Sequence, residues 1–122
     1  MTTRWIRRAT ALGAVLVTGA AAVPALAHSP VIGTFPAKGA TVSPISSVSV
    51  RFGAAVVTGT ISVARSDGSA VAARAAGLDP RNKARLRATF PRKLTAGRYT
   101  ASWRARATDG HSERGTFSFR VR

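Results

Sequence analysis

Arg98-Tyr99-Thr100-Ala101-Ser102-Trp103-Arg104-Ala105-Arg106 and, beyond a connection from Thr108 to Arg114, Thr116-Phe117-Ser118-Phe119-Arg120-Val121-Arg122 decide the fold class. Tyr99, Ala101, Trp103 and Ala105 alternate with polar and basic residues, and Phe117, Phe119 and Val121 do the same. A period of two turns successive side chains to opposite faces of an extended chain, so each run reads as a half-buried strand of an antiparallel pair.

The same pattern recurs upstream. Val48, Val50 and Phe52 alternate with Ser47, Ser49 and Arg51, and a run from Val56 to Arg65 carries Ile61 and Val63 on one face. Asp67-Gly68 predicts a hairpin turn after it. Ala70 to Ala75 reads as a weak strand, Gly77 to Asn82 as a turn or loop, and Arg85 to Phe90 as a strand that Pro91 stops. The stretch from Ser29 to Pro44, with three prolines and Gly39, predicts an extended arm with one short strand around Val31 to Phe35. About seven strands and no internal repeat give an all-β chain, a small β-sandwich of immunoglobulin-like type.

The whole chain has 122 residues, 45% hydrophobic and 19% charged, which suits one packed domain and is too apolar for general disorder. Arg4, Arg7 and Arg8 precede an uncharged apolar or small-residue run from Ala11 to Val23, and Ala25-Leu26-Ala27 follows. That order predicts a secretory signal peptide over residues 1–27, since the apolar run is shorter than the roughly 20 residues a spanning helix needs. The expected protein is therefore exported, periplasmic or otherwise extracytoplasmic, with one domain over residues 28–122.

Chemistry has few residues to work with. The chain has no Cys, which excludes disulfide scaffolds, thiol catalysis and Cys-ligated metals, and its acids are Asp67, Asp79, Asp109 and Glu113. The two histidines are His28, which cleavage after Ala27 would make the first residue, and His111 in Asp109-Gly110-His111. An amino-terminal His offers its α-amine and ring Nδ1 to one metal ion, which no internal His can do. If the arm brings His28 to the Asp-Gly-His loop, the donors become the amine, two imidazole nitrogens and the Asp109 carboxylate. Such a set suits tetragonal Cu(II), and without a sulfur ligand no separate Cu(I) site is expected. Ser112 and Glu113 stand next to the loop as candidates to orient the His111 ring. Asp-Gly is also simply a turn dipeptide, and a solvated loop His is the plain alternative.

These residues resemble a known family. Ala27-His28, Phe35-Pro36-Ala37-Lys38-Gly39-Ala40, Val48-Ser49-Val50-Arg51-Phe52, Leu94 to Trp103, Thr108-Asp109-Gly110-His111 and Gly115 to Phe119 are together similar to CopC-type exported copper-binding proteins. The resemblance implies a cupredoxin-like Greek-key β-barrel or sandwich, and Cu(II) held by His28, Asp109 and His111. It also implies a role in copper homeostasis, resistance or uptake beside a CopD-type inner-membrane partner. Two departures stand out: Gly53-Ala54-Ala55 follows Phe52 where family members often carry an acid, and the Met-rich loop of some members is missing.

Charge adds a separate expectation. After residue 27, sixteen Lys and Arg stand against four acids, a net charge of about +12. Arg85 and Arg87, Arg98, Arg104 and Arg106, and Arg120 and Arg122 occupy alternate positions, which predicts basic outward strand faces suited to an anionic membrane, cell-wall polymer or acidic partner. Nucleic acid is not expected for an exported chain without aromatic residues interleaved in the basic runs. Three functions follow: a non-enzymatic copper carrier or buffer, the leading one; a cationic binding module without metal; and a copper oxygenase, since an amino-terminal His with a second His resembles the copper brace of lytic polysaccharide monooxygenases. The oxygenase ranks below the others because Asp109 would fill a position oxygen needs and about 95 residues leave little platform for a polysaccharide.

Overall fold

The computed structural model describes residues 30–122, so the expected signal peptide and His28 lie outside the described residues. Eight strands form: β1 (Val31–Phe35), β2 (Thr41–Val42), β3 (Ser47–Phe52), β4 (Val56–Arg65), β5 (Ala75–Asp79), β6 (Asn82–Thr89), β7 (Gly97–Ala107) and β8 (Ser112–Val121). They make two four-stranded sheets, ordered β1-β3-β6-β5 and β2-β8-β7-β4. The all-β sandwich expected from the alternation is present.

The core lies between the sheets and consists of the residues the period of two points inward. Val48, Val50, Phe52, Leu86 and Ala88 come from one sheet, and Ile61, Val63, Tyr99, Ala101, Phe117, Phe119 and Val121 from the other. Tyr99 stacks on Phe119 with ring centroids 5.5 Å apart, and its buried hydroxyl donates to the Thr95 carbonyl at 2.6 Å. A large ring is thereby buried without stranding its polar tip. Gly59 is required where the sheets approach, because a Cβ there would lie 2.3 Å from Leu86 Cδ2.

Three expectations need correction. Ala70 to Ala75 is mostly not a strand: beyond an isolated Ala64–Ala70 bridge the chain crosses from one sheet to the other, and β5 begins only at Ala75. The turn or loop expected over Gly77 to Asn82 is narrower than read: a tight turn at Pro80 and Arg81 is present, but Gly77 to Asp79 belong to β5 and Asn82 to β6. Asp79 makes the turn possible, since its Oδ1 accepts the Arg81 N–H at 2.9 Å and its Oδ2 holds Arg85. The third is β2, two residues pairing parallel with Arg120 and Val121 of β8. Two residues are too few to show a period, and a sequence read as antiparallel hairpins does not reveal a parallel pairing 80 or so residues away.

One pole of the sandwich collects the elements that matter for the site. Val31 pairs with Phe52, and the Gly53 N–H donates to the Pro30 carbonyl at 2.7 Å. Three residues later Val56 pairs with Ala107, immediately before the Asp-Gly-His segment. Register thus brings the start of the arm, the β3–β4 connection and the β7–β8 loop to the same end.

Candidate metal centre

The β7–β8 connection is shorter than the sequence suggests, because β7 runs to Ala107 and β8 starts at Ser112. Gly110 donates to the Ala107 carbonyl at 3.0 Å, and Ala107 donates to His111 at 2.8 Å. Gly110 has φ +91°, a left-handed conformation that closes such a hairpin and that a side chain resists. The dipeptide that signals a turn therefore makes one, and the turn aims its two flanking side chains at each other.

Asp109 Oδ1 accepts the His111 backbone N–H at 3.0 Å, and Oδ2 hydrogen-bonds the ring Nδ1. The carboxylate grips the histidine at two points, by its backbone and by its ring. A proton on Nδ1 leaves the lone pair on Nε2, facing away from Asp109, so Asp109 and His111 can ligate one ion together only where the ion takes that proton's place between Nδ1 and Oδ2. The His111 side chain is 70% exposed, so a ligand can reach the ring, while Asp109 at 22% sits behind it. The hydrogen bond to Asp109, then the charge of Asp109 and that of Glu113, hold the His111 pKa above the ordinary histidine value. A proton therefore competes with metal for this ring, and the carboxylate that raises its proton affinity raises its donor strength toward a cation in the same way.

The structure brings Asp109 and His111 together. His28 lies outside the described residues, and among the described residues no cluster of three or more His, Asp or Glu side chains could hold a metal. Two donors on one turn do not make a closed site, so the described part of the fold fits a metal whose remaining ligands come from elsewhere. Glu113 and Ser112 belong to β8 and not to a loop. Glu113 is half-buried on the face opposite Ser112, pairs with Ala105 across the ladder and acts on His111 through its charge. The β3–β4 connection at this pole, Gly53-Ala54-Ala55, contributes no acidic side chain.

Two residues already marked in the sequence, Arg106 by the basic run and Trp103 by the alternation, lie on the strand that leads into the turn. Arg106 places its guanidinium near the turn, 3.8 Å from where a Cβ on Gly110 would stand. Trp103, four residues before the end of β7, is edge-on to Phe52 with centroids 5.2 Å apart and lies over Gly115, where a Cβ would come within 2.7 Å of the indole. The signal for the Trp–Gly pair was available: Gly115 interrupts an alternating strand, which marks a close approach.

Comparison with known proteins follows this geometry. The crystal structure of CopC from Methylosinus trichosporium OB3b is similar over 77% of this chain and 93% of its own, at 27% identity and a TM-score of 0.66. PcoC, a methionine-rich copper resistance protein from Escherichia coli, shares the fold at 19% identity, with 78% of this chain and 99% of that chain covered and a TM-score of 0.66. A comparison with curated proteins finds no match. The family model of the CopC domain matches residues 31–122, which spans every strand described above, and the chain belongs to the CopC domain family.

Proposed function

We propose that the protein is an exported, non-enzymatic carrier or buffer of Cu(II), which is its cargo. His28 would bind through its α-amine and ring Nδ1, His111 through its ring, and Asp109 through its carboxylate. Family membership and the copper-related relatives support copper as the metal. The observation that carries the site is positional. The chain enters the fold at Pro30, bonded to Gly53 at the pole that holds Asp109 and His111, and His28 is two residues earlier, a stretch of at most about 7 Å. Nitrogen-rich donors with one carboxylate and no sulfur favour Cu(II) over Cu(I).

The charge is consistent with a carrier working outside the inner membrane beside a CopD-type membrane protein. Direction of transfer would then be set by that partner. Ser112, at the first position of β8, and Glu113, through its charge on His111, are the residues proposed to hold the ring's surroundings.

The test is a Cu(II) titration followed by electron paramagnetic resonance on protein beginning at His28, beside the same protein with one extra amino-terminal residue. One equivalent with a nitrogen-rich tetragonal signal, lost or rearranged in the extended protein, is expected. Equal, non-stoichiometric binding in both would leave the metal-free cationic module as the better reading. Glycan cleavage or peroxide formation with ascorbate and oxygen would favour the oxygenase instead.

A further inference from the structure

The outward face of the β2-β8-β7-β4 sheet is built almost wholly from Arg, Ser and Thr. Its positions on β7 are Arg98, Thr100, Ser102, Arg104 and Arg106, and on β8 Ser112, Arg114, Thr116, Ser118 and Arg120. Arg98 stands opposite Arg120 and Arg104 opposite Arg114, while β4 adds Thr60 beside Arg104 and Thr58 beside Arg106. Like charges directly opposed on neighbouring strands destabilise a sheet. Among the described residues the ion pairs are Arg85 with Asp79 and His111 with Asp109, and none of these five arginines takes part in one. Glu113 borders the groove between Arg104, Ser112 and Arg114 from the opposite side of β8, one carboxylate beside two of the guanidinium groups. The segment before residue 30 holds three arginines and no acid, so it has nothing to neutralise them with.

We propose that this face docks the protein on the anionic headgroup layer of a phospholipid bilayer. The arginines stand in two groups about 20 Å apart along the strands, six residues at about 3.3 Å each, and spread over neighbouring strands about 5 Å apart. Between them lies an open hydroxyl-lined groove of about 560 Å³ formed by Thr60, Ser62, Ser102 and Thr116 with Arg104 and Arg114 at its border. A two-dimensional array of guanidinium groups matches a two-dimensional array of phosphates. Laterally mobile lipids can pair with both groups at once, whereas a single acidic chain lying along one row leaves the others unpaired. Three of the four large exposed apolar side chains, Val31, Ile32 and Phe35, are on β1 of the other sheet, and Val57 stands alone at the bulged edge of β4. Docking by this face is therefore chiefly electrostatic, with a single exposed Val57 at its edge. It does not depend on the copper reading.

The test uses the chain from His28, which contains every described strand and the whole core, in co-sedimentation with phosphatidylcholine vesicles and with vesicles that also contain phosphatidylglycerol, chelator present throughout. Binding is expected only with phosphatidylglycerol, and it should vanish as salt shortens the Debye length. The variant Arg98→Gln/Arg104→Gln/Arg114→Gln/Arg120→Gln should bind about tenfold more weakly or worse. The control Arg51→Gln/Arg74→Gln/Arg81→Gln/Arg87→Gln, which removes the same charge elsewhere, should change binding by less than about threefold. Single Arg104→Gln and Arg120→Gln replacements keep the comparison available should the fourfold variant fail to fold. Equal losses in the two sets, equal binding to both vesicles, or no binding would overturn the proposal. Tighter binding of a soluble acidic polysaccharide or acidic peptide than of the vesicles would overturn the bilayer as occupant.

Discussion

Asp79 and Asp109 sit at turns on the same pole and are wired alike, yet they end in opposite chemistry. Each accepts the backbone N–H two residues ahead with Oδ1, from Arg81 and from His111, and each uses Oδ2 for a side chain. For Asp79 that side chain is Arg85, with Nη2 at 2.7 Å, and the carboxylate is only 4% exposed. For Asp109 it is the exposed His111 ring. Guanidinium is always charged and has no lone pair, so the first turn is closed and can only hold the fold together. Imidazole keeps a lone pair on its other nitrogen, so the second turn holds the fold and still faces outward with a donor. One residue type decides whether an Asp turn is a clamp or a ligand.

The sharpest way to break this contrast is His111→Arg, which rebuilds the second turn in the image of the first. Cu(II) affinity by competition with a chelator is expected to fall by about two orders of magnitude or more, while the melting temperature stays within a few degrees. Retained affinity would remove His111 from the site.

The next effect is on the clamp. Asp79→Ala strands Arg85 and the Arg81 N–H, and is expected to lower the melting temperature by more than about 5 °C without altering copper binding. The pH dependence has a definite sign. The Arg81 N–H first, then Arg85, hold the Asp79 pKa below its model-compound value of 3.8, against the opposing effect of burial. A depressed folded value contributes stability that is present above pH 3.8 and lost as pH falls through the lower folded value, so acid unfolding of the natural protein should steepen below about pH 4. Asp79→Asn should lose this contribution and unfold less steeply there; identical acid profiles would show that the clamp contributes nothing.

The smallest expected change is optical. Trp103, the one Trp after residue 27, lies six residues before Asp109 on the strand that leads into the turn and should lose part of its emission when Cu(II) binds. Full emission at saturation would place the metal elsewhere.

Much of this was legible because the period of two speaks directly to burial. Val48, Val50, Tyr99, Phe117 and Phe119 are inward as read, and the Arg98, Arg104, Arg106 and Arg120 positions are outward. Asp109 and His111 were legible as a pair across a glycine. What the sequence concealed was set by tertiary partners. β5 is held by its ladder to β6 and by Asp79 gripping Arg85 at the turn, and β2 by Thr41 and Val42 pairing with β8. Arg114 passed for a loop residue until the hairpin proved tighter than the spacing suggested, which moved it onto the basic face.

The parallel pairing of β2 with β8 has a consequence for biosynthesis. β8 lies between β2 and β7, so the sheet holding the candidate metal turn is incomplete until the last ten or so residues are available. β2 emerges from the ribosome early and waits for a partner roughly 80 residues downstream, a separation that makes closure slow. Were the chain exported unfolded, as the signal peptide expected over residues 1–27 would allow, such a delay would keep it free of the contacts that close this sheet until its carboxyl end is made.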